Sequence, residues 1–185
     1  MQQPANNEIT EKLQKVRMVI FDVDGVLTDG KLYLSDNPEE TKVFYAKDGV
    51  RTEIALWSGL KIIWLTGRKC VAVERRAREL KVDLLYKQDI KEQGRPLFEV
   101  LKERFQVTRE EILYMGDDWT DLHLMREAGI AATPFDGSKE NRNIAHIVTE
   151  SKGGEGAVTE VIEIVMKAQG NFDKYLQKYL EEFTP

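Results

Sequence analysis

The sequence predicts a three-layer α/β fold with a mainly parallel sheet, because short apolar runs alternate with amphipathic stretches along the chain. The apolar runs are continuous rather than alternating, which is typical of strands buried on both faces. Strands that alternate with helices imply βαβ units with right-handed crossovers, as in Rossmann-like folds. A chain of 185 residues can bury one sizeable core, so we expect residues 1–185 to form a single domain.

Local signals place the elements. Strands are predicted at residues 16–21, 62–65, 84–86, 112–115, 130–132 and 147–148. Helices are predicted at residues 49–58, 71–80, 96–105, 121–128, 157–167 and 172–183. Pro96 suits the first turn of one helix, and Gly129 suits the end of another. Two extended segments around a Ser-Asp-Asn-Pro-Glu-Glu turn predict a small β-hairpin insertion at residues 31–45. A break at Gly170 marks a C-terminal tail, residues 169–185.

Composition narrows the classes of function. The formal net charge of −5 and the pI near 5.3 argue against a general nucleic-acid or membrane-surface binder. No apolar run approaches the ~20 residues of a membrane span, and residues 1–10 lack the apolar core of a secretory signal. Cys70 is the single cysteine, which favours a reducing compartment. We therefore expect a cytoplasmic protein that binds neither nucleic acid nor membranes.

Polar side chains follow three of the predicted strands. Asp22 and Asp24 come after the first strand, Thr66 and Gly67 after the second, and Asp117 after the Ile112–Met115 run. In an open parallel sheet, ligands bind beyond the carboxyl ends of the strands. These residues are therefore expected to meet in one pocket.

The acids in this pocket predict a cation. Residues two apart in an extended chain point the same way, so Asp22 and Asp24 should share one side with Asp117. Three carboxylates repel one another unless a cation lies between them. An all-oxygen set suits Mg²⁺, and the lack of nearby Cys or His argues against zinc. The predicted metal ligands are Asp22, Asp24 and Asp117.

The same residues can support phosphoryl transfer. With its charge neutralised by Mg²⁺, a phosphoryl group can be attacked by Asp22 to give an aspartyl-phosphate. Asp24 can protonate the leaving alkoxide and later activate water. The Thr66 hydroxyl and the backbone N–H groups around Gly67 can bind the phosphoryl oxygens.

The motifs that carry these residues resemble those of the haloacid dehalogenase (HAD) superfamily of phosphatases. They are Phe-Asp-Val-Asp-Gly-Val-Leu-Thr, Leu-Thr-Gly-Arg and Met-Gly-Asp-Asp, each after a predicted strand. Within the superfamily, the sequence looks like the capless subgroup. The segments that carry this resemblance are Asp-Gly-Val-Leu-Thr-Asp-Gly, the hairpin after it, Lys-Asp-Gly and Gly-Gly-Glu-Gly-Ala-Val. The pattern over residues 14–170 is similar to the phosphatases of 3-deoxy-manno-octulosonate 8-phosphate (KDO 8-phosphate).

The resemblance implies further site residues and an assembly. Arg68 and Arg76 match positions that contact the sugar acid. The family's third motif is a lysine, which should fall near Gly94, so Lys91 or Arg95 is expected to neutralise the phosphate. The resemblance also implies a homotetramer, in which hairpins associate and a neighbour's tail helps to close the open site.

Three functions remain open at this stage. The leading one is hydrolysis of KDO 8-phosphate, which would feed lipopolysaccharide synthesis in a Gram-negative source. The second is hydrolysis of a nine-carbon sugar-acid 9-phosphate by a similar phosphatase, although relatives of that type often carry an acidic residue at the position of Arg68. A non-catalytic oligomerisation module is favoured only by the absence of a lysine at Gly94.

Overall fold

Six parallel strands form the centre of the computed structural model, which describes residues 3–34, 36, 40–92 and 94–182. In chain order the strands are β1 (Met18–Asp22), β2 (Lys61–Thr66), β3 (Asp83–Tyr86), β4 (Ile112–Met115), β5 (Ile130–Thr133) and β6 (Ile147–Val148). Their order across the sheet is β3-β2-β1-β4-β5-β6. The first strand, β1, is therefore central, with β2 and β4 as its neighbours.

Helices cover both faces of the sheet. They are α1 (Gln3–Gln14), α2 (Ala46–Trp57), α3 (Val71–Leu80), α4 (Lys87–Glu92), α5 (Leu97–Phe105), α6 (Leu122–Glu127), α7 (Lys139–Ile144), α8 (Ala157–Ala168) and α9 (Phe172–Glu182). Among the residues that the structure describes, no helix is both long enough and apolar enough to cross a membrane.

The pleat of the strands divides the core in two. Val19 and Phe21 of β1 pack on the face covered by α1, α2, α3, α8 and α9. Met18 and Ile20 pack on the opposite face, against α4, α5, α6 and α7. Because both faces are covered, every residue of β1 is buried, and the strand has a continuous apolar sequence before its terminal aspartate.

The predicted three-layer α/β class is confirmed, and all six predicted strands are present. Helices α1, α4 and α7 were not predicted. The last two have six residues each, which is too short for helical periodicity to be recognised. In the predicted hairpin, the described residues form one antiparallel bridge, between Tyr33 and Thr41. Residues 35 and 37–39 of its turn, and 183–185 of the tail, lie outside the described part.

The glycine run before α8 packs against the loop that follows β1. The N–H of Gly154 donates to the carbonyl of Val26 at 3.0 Å. A Cβ atom at Gly153 would overlap the carbonyl oxygen of Gly25. Glycine is thus required at Gly153 by backbone packing, and this packing supports the loop that carries Asp24.

Candidate active site

Four neighbouring strands end at one side of the molecule, and each places a polar residue there. Asp22 is the last residue of β1, and Thr66 is the last residue of β2. Lys87 directly follows β3, and Asp117 lies just beyond β4. Since the strands are parallel and adjacent, residues that are distant in sequence meet at this edge.

The loop after β1 is a tight turn, Val23–Leu27. Gly25 has a φ of +95°, and a Cβ atom there would overlap the carboxylate of Asp117. The buried Thr28 hydroxyl donates to the Val23 carbonyl at 3.2 Å and accepts from the Gly25 N–H at 3.4 Å. These contacts hold the turn in a shape that lets Asp22 and Asp117 lie close together.

Asp22, Asp117 and Asp121 form an acidic cluster, with one oxygen from each within 4.8 Å of the others. Burial and the nearby charge of Asp121 raise the pKa of Asp22 to about 7. Burial and the charge of Asp22 raise the pKa of Asp117 to about 8. A largely buried all-oxygen cluster, in which Asp22 and Asp117 resist ionisation, has the chemistry of a site for a hard divalent cation.

Lys87 is the cation that the protein itself supplies to this cluster. Its Nζ donates to Asp22 Oδ1 at 2.8 Å and to Asp121 Oδ1 at 2.7 Å. Burial alone would lower the pKa of Lys87, but Asp22 and Asp121 outweigh it and raise the pKa above that of an ordinary lysine. Lys87 therefore stays charged beside Asp22.

Asp121 organises its neighbours. Its Oδ1 also accepts from the buried Tyr114 hydroxyl at 2.8 Å. Its Oδ2 accepts from the N–H groups of Asp117 at 3.2 Å and Asp118 at 3.4 Å. Because both of its oxygens are engaged, Asp22 and Asp117 are the better placed members of the cluster to hold a metal ion.

The structure corrects the predicted position of the third-motif lysine, because neither Lys91 nor Arg95 lies beside the acidic cluster. Lys91 is exposed one helical turn beyond Lys87, and Arg95 is exposed and paired with Glu103 at 2.6 Å. The physical reason is that the chain enters α4 directly from β3, so the first helical residue faces the site. The signal was present in the sequence: Lys87 follows an apolar strand, as the residues of the other motifs do.

Two of the three predicted metal ligands, Asp22 and Asp117, lie in the acidic cluster. The carboxylate of Asp24 is ion-paired with Lys42 of the insertion, whereas Asp121 lies in the acidic cluster with Asp22 and Asp117. Asp121 also forms a capping box with Asp118. One side chain thus serves both the local turn and the site.

The residues after β2 lie beside Asp22. In the sheet, Asp22 pairs with Leu65, so Thr66 extends one residue further at the same edge. The Thr66 hydroxyl accepts from the N–H of Arg68 at 3.1 Å. Nothing would contact a Cβ atom at Gly67, so the backbone there is open to a ligand.

A cavity of about 750 Å³ opens next to these residues. Its cationic lining residues are Lys42, Lys69, Arg75 and Arg76, and its acids are Glu40 and Glu79. Arg68 lies at 3.1 Å from Glu40 in an ion pair. The local excess of positive charge suits an anionic ligand, although the whole chain carries a net charge of −5.

Comparisons with known proteins agree on one family. No family model matches the chain. The chain is similar to 3-deoxy-D-manno-octulosonate 8-phosphate phosphatase KdsC of Escherichia coli K12, with 35% identity over 175 residues that cover 92% of this chain and 90% of that protein.

Solved structures give the same result. The Moraxella catarrhalis 3-deoxy-D-manno-octulosonate 8-phosphate phosphatase, in complex with magnesium, phosphate and KDO, has a TM-score of 0.86 and 34% identity, covering 94% of this chain and 98% of that chain. The cobalt-bound phosphatase YrbI of Haemophilus influenzae has a TM-score of 0.83 and 30% identity, covering 91% and 99%. A Legionella pneumophila structure described as a HAD superfamily hydrolase has a TM-score of 0.88 and 29% identity, covering 96% of each chain.

Cation affinity should depend on pH in a defined direction. Because the pKa values of Asp22 and Asp117 are raised to about 7 and about 8, both carboxyls hold protons in slightly acidic solution. Protons then compete with the metal, so Mg²⁺ affinity should rise about tenfold or more between about pH 6 and about pH 8.5. Calorimetric titration with Mg²⁺ measures this change, and Asp117→Asn should weaken binding at both pH values. Equal wild-type affinity at the two pH values would contradict the assignment.

Proposed function

The chain belongs to the 3-deoxy-D-manno-octulosonate 8-phosphate phosphatases of the HAD superfamily, and from this premise we propose that it hydrolyses KDO 8-phosphate to KDO and inorganic phosphate with Mg²⁺. One structural observation supports the proposal independently of the comparisons. Lys87 bridges Asp22 and Asp121 beside Asp117, so the nucleophile, its neutralising cation and a metal-competent acid cluster occupy one edge.

Asp22 is the proposed nucleophile. Its carboxylate oxygen forms a bond to phosphorus as the bond from phosphorus to the sugar oxygen breaks, which leaves an aspartyl-phosphate. Lys87 holds the carboxylate and neutralises phosphoryl charge. Mg²⁺, held by Asp22 and Asp117, would supply further neutralisation of that charge. The Thr66 hydroxyl and the open backbone at Gly67 are proposed to bind phosphoryl oxygens.

Asp24 is the proposed general acid and base. It gives a proton to the departing sugar oxygen and then takes a proton from the water that attacks the aspartyl-phosphate. That attack releases inorganic phosphate and restores the Asp22 carboxylate. Asp24 lies two residues after Asp22 on the turn that Gly25 and Thr28 hold.

The cationic cavity supports a sugar-acid substrate. We propose that Arg68 at its rim and Arg76 in its wall contact the carboxylate and hydroxyls of KDO. Three of the relatives named above, from Escherichia coli, Moraxella catarrhalis and Haemophilus influenzae, are octulosonate 8-phosphate phosphatases, which favours the eight-carbon substrate over the nine-carbon alternative. The non-catalytic alternative loses its basis, because Lys87 supplies the lysine that had been missed near Gly94.

The proposal also covers the cellular location of the enzyme and its oligomeric state. We propose a cytoplasmic enzyme of lipopolysaccharide synthesis, in keeping with a single free cysteine, Cys70. We further propose a homotetramer built on the insertion, residues 31–45, and on exchange of the tail, residues 169–185. In support, Leu34 is 77% exposed and Val43 is 54% exposed on the insertion, an apolar surface that a second copy would cover.

Phosphate release from KDO 8-phosphate tests the proposed function. Release should require Mg²⁺, stop with EDTA, and be lost in Asp22→Asn, since the amide is not a nucleophile. A nine-carbon sugar-acid 9-phosphate and simple sugar phosphates serve as comparison substrates. Preference for one of these substrates would replace KDO 8-phosphate as the proposed substrate. No release from any of them would reject the proposed phosphatase activity.

A matched pair of lysine variants tests the corrected third motif. Lys87→Met should lower kcat/KM by ~10²-fold or more, because a charge-neutralising contact to the phosphoryl group is lost. Lys91→Met, one helical turn away and exposed, should change it less than about twofold. Circular dichroism confirms that both variants fold. A larger loss in Lys91→Met than in Lys87→Met would restore the original assignment.

Light scattering tests the assembly. The wild type should have the mass of four chains at micromolar concentration, and a double change, Leu34→Glu with Val43→Glu, should reduce it by placing charges in an apolar contact. Val148→Glu is the control, because this valine is also exposed but lies on the edge strand β6, outside the insertion. A monomeric wild type would contradict the proposed tetramer.

A further inference from the structure

Lys42 is a charged residue of the insertion whose side chain is almost entirely buried. Only 2% of the side chain is exposed. Its Nζ is ion-paired with Asp24 and, at 2.9 Å, with Glu40 Oε1. Burying an ammonium is costly unless acids compensate it, and here two acids do so.

The ion pairs continue outward from Lys42. The other oxygen of Glu40, Oε2, accepts from Arg68 Nη2 at 3.1 Å. The charges therefore alternate along Asp24, Lys42, Glu40 and Arg68, from the turn after β1 to the rim of the cationic cavity. Glu40 therefore links Lys42 to Arg68.

The contact with Asp24 goes beyond what is needed to anchor the insertion. The Asp24 side chain is 27% exposed, and without a partner its carboxyl would be free to rotate toward solvent. A buried ammonium held by Glu40 offers Asp24 one fixed donor. Orientation of a general acid matters because proton transfer requires hydrogen-bond distance to the departing oxygen.

We propose that Lys42 is a positioning residue for the reaction, which holds the Asp24 carboxyl in the orientation needed for proton transfer. This inference rests on the proposed function, in which Asp24 is the general acid and base. Lys42 acts through Asp24 rather than on phosphorus. The insertion consequently contributes to the chemical step.

Steady-state kinetics of Lys42→Met separates this role from substrate binding. On KDO 8-phosphate, kcat should fall by about tenfold or more while KM changes less than about threefold, since orientation of the acid affects the chemical step. Lys42→Arg should recover part of kcat because it keeps a buried cation. Lys102→Met is the control, because Lys102 is an exposed lysine of α5 that lies outside the insertion, and this variant should behave as wild type.

Two further measurements distinguish positioning from loss of structure. On p-nitrophenyl phosphate, whose nitrophenolate departs without protonation, the effect of Lys42→Met should be at least about fivefold smaller than on KDO 8-phosphate. In the Asp24→Asn background, Lys42→Met should add no further loss of kcat, because the residue it orients is already disabled.

These measurements distinguish failure of the positioning role from failure of the proposed function. An equal loss on both substrates, or independent effects of the Asp24 and Lys42 changes, would overturn the positioning role. A rise in KM at constant kcat would make Lys42 a substrate contact instead and would also overturn it. Failure of the wild type to release phosphate from either ester would reject the proposed function, and the inference with it.

Discussion

The ion pairs of Lys87 with Asp22 and Asp121 are the interaction on which the rest of the site depends. They bring a helix that begins after β3 into contact with the ends of β1 and β4. Asp121 is 1% exposed, and loss of its lysine would leave an uncompensated charge inside the protein. Breaking a buried pair in this way costs about 3–5 kcal/mol, so the fold and the site are secured by the same contact.

The charge balance of the cluster explains why a metal belongs there. One lysine faces three carboxylates, and burial together with their mutual repulsion raises the pKa values of Asp22 and Asp117. A divalent cation reverses this preference by favouring the ionised carboxylates, which is the form that a nucleophile requires. The site is thus poised to become active only when the ion and the acids are present together.

The sequence was sufficient for the sheet but insufficient for contacts between distant segments. Continuous apolar runs identified every strand, and the rule that ligands gather at strand ends predicted that Asp22, Thr66 and Asp117 lie at one edge of the sheet, where the structure places them. The family pattern placed the third-motif lysine near Gly94, whereas Lys87 is the residue that directly follows β3. No sequence pattern pairs Lys42 with Asp24, since that contact depends on how the insertion folds back over the turn.

The separation of the site residues along the chain has a consequence for biosynthesis. Asp22, Thr66, Lys87 and Asp117 meet only after β1, β2, β3 and β4 have paired side by side. A nascent or partly folded chain holds Asp22 without its lysine and without the second acid of the cluster. A cation that needs both Asp22 and Asp117 binds the folded chain in preference to such a partly folded one, and in doing so it stabilises the finished fold.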